Sequence, residues 1–415
     1  MTSIKDCSLN KGSNVYKFVI FLLFFGLFAL NIGSTFSTSN MPFLMILCIA
    51  FFMAMLHIIR SKGNIIVIKP IYYYAIFVIV AFSSYMWAKN KNSAFSGALV
   101  VLLTLIIIVT FKNLLLASKL NIIDVFELIF LAGLFTFLYL VARYGIGVAW
   151  RLRDPSFPAS EYYNANGMGR TYLISAICGW IAVTKGKKNS VYKLFSGVLL
   201  LLALLSGSKT NILFLAIFAS IVLYLNNKSN KNAVLVLCIP LMLIFGYYLI
   251  MDVPLLYNVV GYRFSELSDA INGDVEKYSS TWYRLEMMKK GLQLFKDNPL
   301  IGYGMANAAE YNRFEWAYES GVYLHSNILE LLVDIGIIGT IPYYAIYYSS
   351  LKMNMIRFKT GDQISKYFIA FIISYSLTDI SSVSYFNRSI ILIIILGIIY
   401  ASGLLELSDR EERRE

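Results

Sequence analysis

Runs of about twenty apolar residues recur along almost the whole chain, and few folds can bury that many. In a bilayer every backbone N–H and C=O must be satisfied within the protein, which leaves helices or a closed barrel. The runs are continuous rather than alternating, so they read as helices of about 30 Å, the thickness of the hydrocarbon core. We place spans at about 18–36, 42–59, 70–87, 94–111, 122–142, 168–184, 191–207, 210–225, 233–250, 322–347, 365–380 and 388–404. Composition agrees: of 415 residues, 58% are hydrophobic and 14% charged, with a mean hydropathy of +0.65. A soluble domain carries about a quarter charged residues. The expected fold is therefore all-α, a polytopic helical integral membrane protein of about 12 transmembrane helices.

Twelve spans put both termini on one side, and the basic residues say which. Short segments on the terminal side hold 21 Lys and Arg, against eight in the short segments opposite. By the positive-inside rule the termini are cytoplasmic. The net charge of +12 is thus an orientation signal distributed over loops, and nucleic acid is not an expected partner. The first span follows Lys5, Lys11 and Lys17 but lacks a convincing cleavage site, so it reads as a retained anchor. The expected organisation is a nine-span bundle over 1–250 with an outer loop at 143–170. A large extracytoplasmic loop carrying short helices follows over 251–321, then three spans over 322–404 and a cytoplasmic tail over 405–415. A loop as long as 251–321 is usually functional or separately structured.

Candidate chemistry gathers around that loop. Residues 281–297 read as a basic amphipathic helix, with Trp282, Leu285, Met288, Leu292 and Phe295 as its apolar stripe and Asn298-Pro299 as its stop. Such a helix lies in the membrane interface; a sharper reading has Arg284 hold a phosphorylated lipid through its planar fork. His325 is one of two histidines. His57 reads as structural. His325 opens the tenth span at the outer surface, where it is either a general base or an interfacial side chain bonding a carbonyl or water. Taken as helical, it shares a face with Leu329, Leu332, Gly336 and Gly339, and not with Asn327, Glu330 or Asp334. The two glycines read as close-packing positions. Buried carboxylates at Glu330 and Asp334 must face protein or water; they pair with basic groups, bind substrate hydroxyls or satisfy their own surroundings. Lys209 in a short outward turn either snorkels or adds to an outer positive cluster with Arg151, Arg153 and Arg170.

Absences narrow the chemistry. Cys7, Cys48, Cys178 and Cys238 form no pair or metal-ligand spacing, and read as packing residues. No metal site and no cofactor is expected. With no P-loop, no dinucleotide fingerprint and no D-x-D pair, a transferred group should arrive already activated without a nucleotide. A lipid diphosphate suits an outward pocket lined by Arg and Lys.

At these residues the chain resembles a known superfamily. His325-Ser326, nine residues, then Gly336-Ile337-Ile338-Gly339-Thr340 resembles the H-[NSQ]-x9-G-x-x-G-T signature of O-antigen ligases and the related O-antigen and capsule polymerases. Arg284 followed by Asn298–Gly304 is similar to their arginine and NPLxGxG corner. Ser206–Thr210 is similar to the TGSRT turn, with Lys209 in the arginine's place, and Asn164–Gly167 to the NPN loop. The resemblance implies a metal-independent glycosyltransferase in the inner (cytoplasmic) membrane, acting at its outer face on an undecaprenyl-diphosphate-linked glycan. In that picture His325 is the catalytic base, and Arg284, Arg170, Lys209, Arg151 and Arg153 bind the diphosphate. Asn327, Glu330 and Asn166 position the acceptor. Expected partners are the lipid-linked donor, a glycan or lipid-linked acceptor, membrane lipids, a flippase and a chain-length regulator. The favoured activity is block polymerisation of repeat units. Ligation to lipid A–core or another terminal acceptor, and transport of polysaccharide, are the alternatives.

Overall fold

A computed structural model describes residues 14–32, 68–118, 120–186, 190–226, 280–314 and 321–405. The expected spans 42–59 and 233–250, the loop stretches 251–279 and 315–320, and His57 lie outside the described residues. The described elements are helical: α1 (Asn14–Ile32), α2 (Lys69–Ser83), α3 (Lys91–Ser118), α4 (Ile122–Tyr144), α5 (Ala165–Lys185), α6 (Ser190–Leu205) and α7 (Lys209–Leu225). After these come α8 (Ser280–Asp297), α9 (Ala308–Tyr311), α10 (Asn327–Lys359), α11 (Ser365–Thr378) and α12 (Arg388–Ala401). Among the described residues the only β pairing is an isolated bridge between Arg313 and Gly321.

Three of these helices are long and apolar enough to cross a membrane: α3, α4 and α10. α6, α7, α12 and the 17–32 part of α1 are apolar but shorter. Their ends follow local chemistry. Pro70 occupies the first turn of α2, where its missing N–H costs nothing. Asn121 and Asp124 close a capping box at the start of α4, each side chain accepting the other's backbone N–H. Asn164 caps α5 through the N–H groups of Asn166 and Gly167.

The helices fall into two compact units. One comprises residues 1–66, 106–212 and 402–415; the other comprises 67–105 and 213–401. In the first, α4, α5 and α6 pack tightly. A Cβ on Gly133 would meet Ser175, and one on Gly179 would meet Ser196 and Phe130 at under 3 Å. Cys178 is buried among them, in keeping with a packing role.

The second unit is built on α10, with α2, α8, α11 and α12 against it. The connections expected outside gather at one end. Met305 N–H donates to Ser84 Oγ at 2.8 Å, Asn90 N–H to Asn307 Oδ1 at 2.8 Å, and Asn327 N–H to Asp379 O at 2.8 Å. The segments 84–91, 298–308 and 379–388 therefore meet near the start of α10. At the other end Arg357 donates to Asp362 at 2.6 Å and to the Tyr400 carbonyl at 2.9 Å, and Lys366 bonds Asn226.

Candidate active site

His325 stands outside the helix that the sequence suggested it opens. Ser326 is the N-cap of α10, accepting the Leu329 N–H at 3.4 Å, and α10 begins at Asn327. His325 itself takes φ 55, a left-handed conformation rare for a residue with a Cβ. The helical face drawn through His325, Gly336 and Gly339 is thereby corrected. The half-buried ring lies against Tyr323, with centroids 4.1 Å apart.

Arg284, on α8, is near enough for this ring to feel its charge. Residues 284, 287, 288 and 291 share one face of a helix. Met287 is buried there, and a Cβ on Gly291 would meet Leu324 and Leu329 at 2.8–2.9 Å. Met287, Leu294, Ala308, Leu324, Leu329 and Val333 form a small apolar cluster that fastens α8 to the start of α10. Of the apolar stripe drawn from the sequence, Met288 and Phe295 pack against this cluster. Two other members of that stripe, Leu285 and Leu292, are exposed at 41% and 50%, because this helix carries two apolar faces and only one meets protein. Burial, with the Arg284 charge second, pushes the His325 imidazole down to about 4. The ring is therefore neutral at pH 7, with one nitrogen able to accept a proton.

The two in-span carboxylates are committed to the backbone. Glu330 Oε2 accepts the Leu324 N–H at 2.6 Å. Asp334, fully buried, accepts the N–H groups of Ala306, Asn307 and Ala308 at 3.0, 2.9 and 2.7 Å, and the Tyr385 hydroxyl at 3.2 Å. Satisfying their own surroundings is the option the geometry selects for both.

Just beyond them lies a break that sequence reading missed. Gly336 has φ 62 and ψ −169, and the α10 ladder opens there. The 298–304 corner fills the opening. Ile337 and Ile338 donate to the carbonyls of Pro299 and Leu300 at 2.9 and 3.1 Å. Tyr303 and Gly304 donate in turn to the carbonyls of Val333 and Asp334 at 2.9 and 2.7 Å. A Cβ on Gly336 would stand 2.2 Å from Leu300 O, and one on Gly302 2.5 Å from Val333 O. Gly302, Gly304 and Gly336 thus serve one backbone splice, in which Gly336 is both a break in the helix and a point of close approach. The signal was present as two glycine-rich motifs, but their pairing is tertiary.

Asn327 is likewise consumed. Its amide donates to Tyr344 and Asp379 at 2.9 and 3.2 Å and accepts the N–H groups of Ser384 and Tyr385 at 2.8 and 2.7 Å. That uses both donors and both lone pairs. Where the sequence suggested acceptor positioning, the geometry gives Asn327 a joint between α10 and the turn after α11.

The remaining candidates belong to the first unit. Arg153 donates to Asn166 Oδ1 at 2.5 Å and to the Ser206 carbonyl at 2.8 Å, and Asn211 donates to Asn166 O at 3.1 Å. This ties the loop at 151–154 and the start of α5 to the turn before Lys209. Arg170 is buried in α5, one residue after Gly169, whose Cβ would meet Ser206 Oγ at 2.2 Å. Arg151 is exposed, pairs with Asp154 at 2.9 Å and lies over Phe157. Hydrogen bonds from Ser156 and Arg151 hold the Asp154 carboxyl down to about 2. Arg284 and His325 are thus brought together in one unit, and Arg151, Arg153, Asn166, Arg170 and Lys209 lie in the other.

Among curated proteins, no match to the chain was found. Residues 194–344 match the family model described as O-antigen ligase. The matched segment takes in Lys209, Arg284, the corner, His325 and the splice glycines. That segment is thus similar to the O-antigen ligase family, in a chain with three helices long and apolar enough to cross a membrane.

Proposed function

We propose that the protein polymerises undecaprenyl-diphosphate-linked repeat units of a surface polysaccharide by block transfer. The reaction takes place on the outer face of the cytoplasmic membrane. The observation that carries this is a neutral imidazole in a left-handed turn beside a guanidinium. In the step, an acceptor hydroxyl attacks the anomeric carbon of the donor glycan. The bond from that carbon to the diphosphate breaks, and undecaprenyl diphosphate departs with the electron pair. His325 takes the hydroxyl proton, a contribution of about 10²–10⁴-fold.

Arg284 stabilises charge developing on the leaving group, and a fixed cation in a site shielded from water does this without reorganisation. The step requires no metal. A bound diphosphate also screens Arg284 from His325. That lifts the smaller of the two causes lowering the imidazole's basicity, while burial, the larger, remains.

Sidedness is supported by the meeting of segments 84–91, 298–308 and 379–388 at the end carrying His325. Arg357 and Lys366 cluster at the other end, as expected of a cytoplasmic face.

Ligation to a terminal acceptor is the second reading, favoured by the description of the matching family model. One assay separates the two. Purified protein is given lipid-linked repeat units, with and without a lipid A–core acceptor. A ladder of lengths without added acceptor supports the polymerase, and transfer only to the added acceptor supports the ligase. Absence of released lipid diphosphate under both conditions overturns the transferase reading and returns transport to the front.

A further inference from the structure

The backbone at His325 is strained, and Glu330 spans the strain. A non-glycine residue held at φ 55 is strained and persists only where its surroundings over-determine it. Glu330 meets the turn on both sides of the histidine. Its side chain accepts the Leu324 N–H at 2.6 Å, and its own N–H donates to the Ser326 carbonyl at 2.8 Å. Leu324 is fully buried in the cluster with Met287 and Leu329, so it cannot swing toward water. On the far side, Asn327 N–H donates to the carbonyls of Asp379 and Ser382 at 2.8 and 3.2 Å. At 5% exposure, Glu330 offers little surface to a sugar.

We infer that Glu330 is a positioning residue for His325: its carboxyl oxygen pins Leu324, closes a loop around the histidine and fixes the ring against Tyr323. The inference rests on the reading of His325 as the base, but the geometry can be measured without turnover. The essential property is an acceptor at the right reach rather than a negative charge. Gln keeps that acceptor, Met keeps the length without it, and Asp keeps the charge but is one methylene too short.

The test uses full-length protein in lipid nanodiscs, labelled with 13C at the histidine ε1 position. The chain has two histidines, so a His57→Asn variant assigns the His325 signal. Tyr323 stands 4.1 Å away, so its ring current displaces that signal from the free-histidine position. Glu330→Gln is expected to keep the displaced signal; Glu330→Met and Glu330→Asp are expected to lose it. In the polymerisation assay, Glu330→Met and Glu330→Asp should lower kcat about 10²-fold with KM for the donor unchanged, and Gln should restore most of the rate. Met suits a buried site and carries the reading even if the Asp variant does not accumulate. A folded Met variant whose His325 signal stays in place overturns the inference, as does a Gln variant that shifts as far as Met. If the wild type itself releases no lipid diphosphate, the transferase reading fails while the signals still decide the positioning role.

Discussion

A single proton decides what His325 can do. Burial and the Arg284 charge lower its pKa from the usual 6.5 to about 4, so the folded protein holds it neutral where a free histidine begins to charge. The sign follows: this shift favours the native state above the ordinary value, and the contribution is lost as pH falls from there through about 4. For the same reason kcat/KM of the free enzyme is expected to be flat with respect to this group down to about pH 5, and to fall below it. A pH–rate profile checks this, with Arg284→Gln moving the limb upward as the nearby charge is removed. His325→Ala should lower turnover by about 10²–10⁴-fold while leaving the elution profile and Tm of the purified protein in place. The sequence made the residue legible, being one of two histidines and standing at the mouth of a span. Its conformation was not legible, since a positive φ at a non-glycine is imposed by partners at 324, 326, 330 and 379.

At the scale of the element, α8 and α10 show two kinds of misreading. α8 was visible as a helix from its 3–4 spacing and its Asn-Pro stop. Its inner face was not, because Leu285 and Leu292 compete with Met287 and Leu294 for the same role and only the neighbouring helix chooses. α10 was visible as an apolar run, but the run conceals an opened ladder, because glycine in a span signals close packing and backbone breaks alike. Gly336→Ala combines φ 62 with a Cβ 2.2 Å from a carbonyl oxygen. It is expected to destabilise by about 1–3 kcal/mol or more, read as a lower Tm. Gly197→Ala in α6, where a Cβ meets nothing within 4 Å, should leave Tm unchanged or raise it. Asp334→Ala strips the acceptor from three backbone N–H groups at a buried site. Since each orphaned group costs about 1–3 kcal/mol, this is expected to be the most damaging of the three by the same measurement. Asp334→Asn, which retains one acceptor oxygen, should be milder.

For the whole molecule, the apolar runs and the bias of Lys and Arg carried most of the information. They point to a helical membrane protein and assign ends to loops, and the described connections of the second unit gather at two ends. What they could not specify is the polar joinery. Asn327 finds Asp379 52 residues away, and Asn307 finds Asn90 217 residues away. Pairings of that length leave no periodicity to read. The assignment is testable from outside the cell. In a background without the four native cysteines, Leu300→Cys, at a position 60% exposed, should react with an impermeant maleimide on intact cells. Lys359→Cys should react only after the membrane is opened, and the reverse pattern would invert the topology.

The seam at Gly336 also bears on how this protein can be altered. Part of a long apolar helix completes its hydrogen bonding with the 299–304 stretch of the loop before it, so that stretch is furniture of the bundle although it lies outside the helix. A tag or extra residue placed between Asn298 and Ala308 would unseat four backbone hydrogen bonds of the helix it adjoins. Extensions of the loop in this protein's lineage should therefore accumulate upstream of α8, where the splice does not reach.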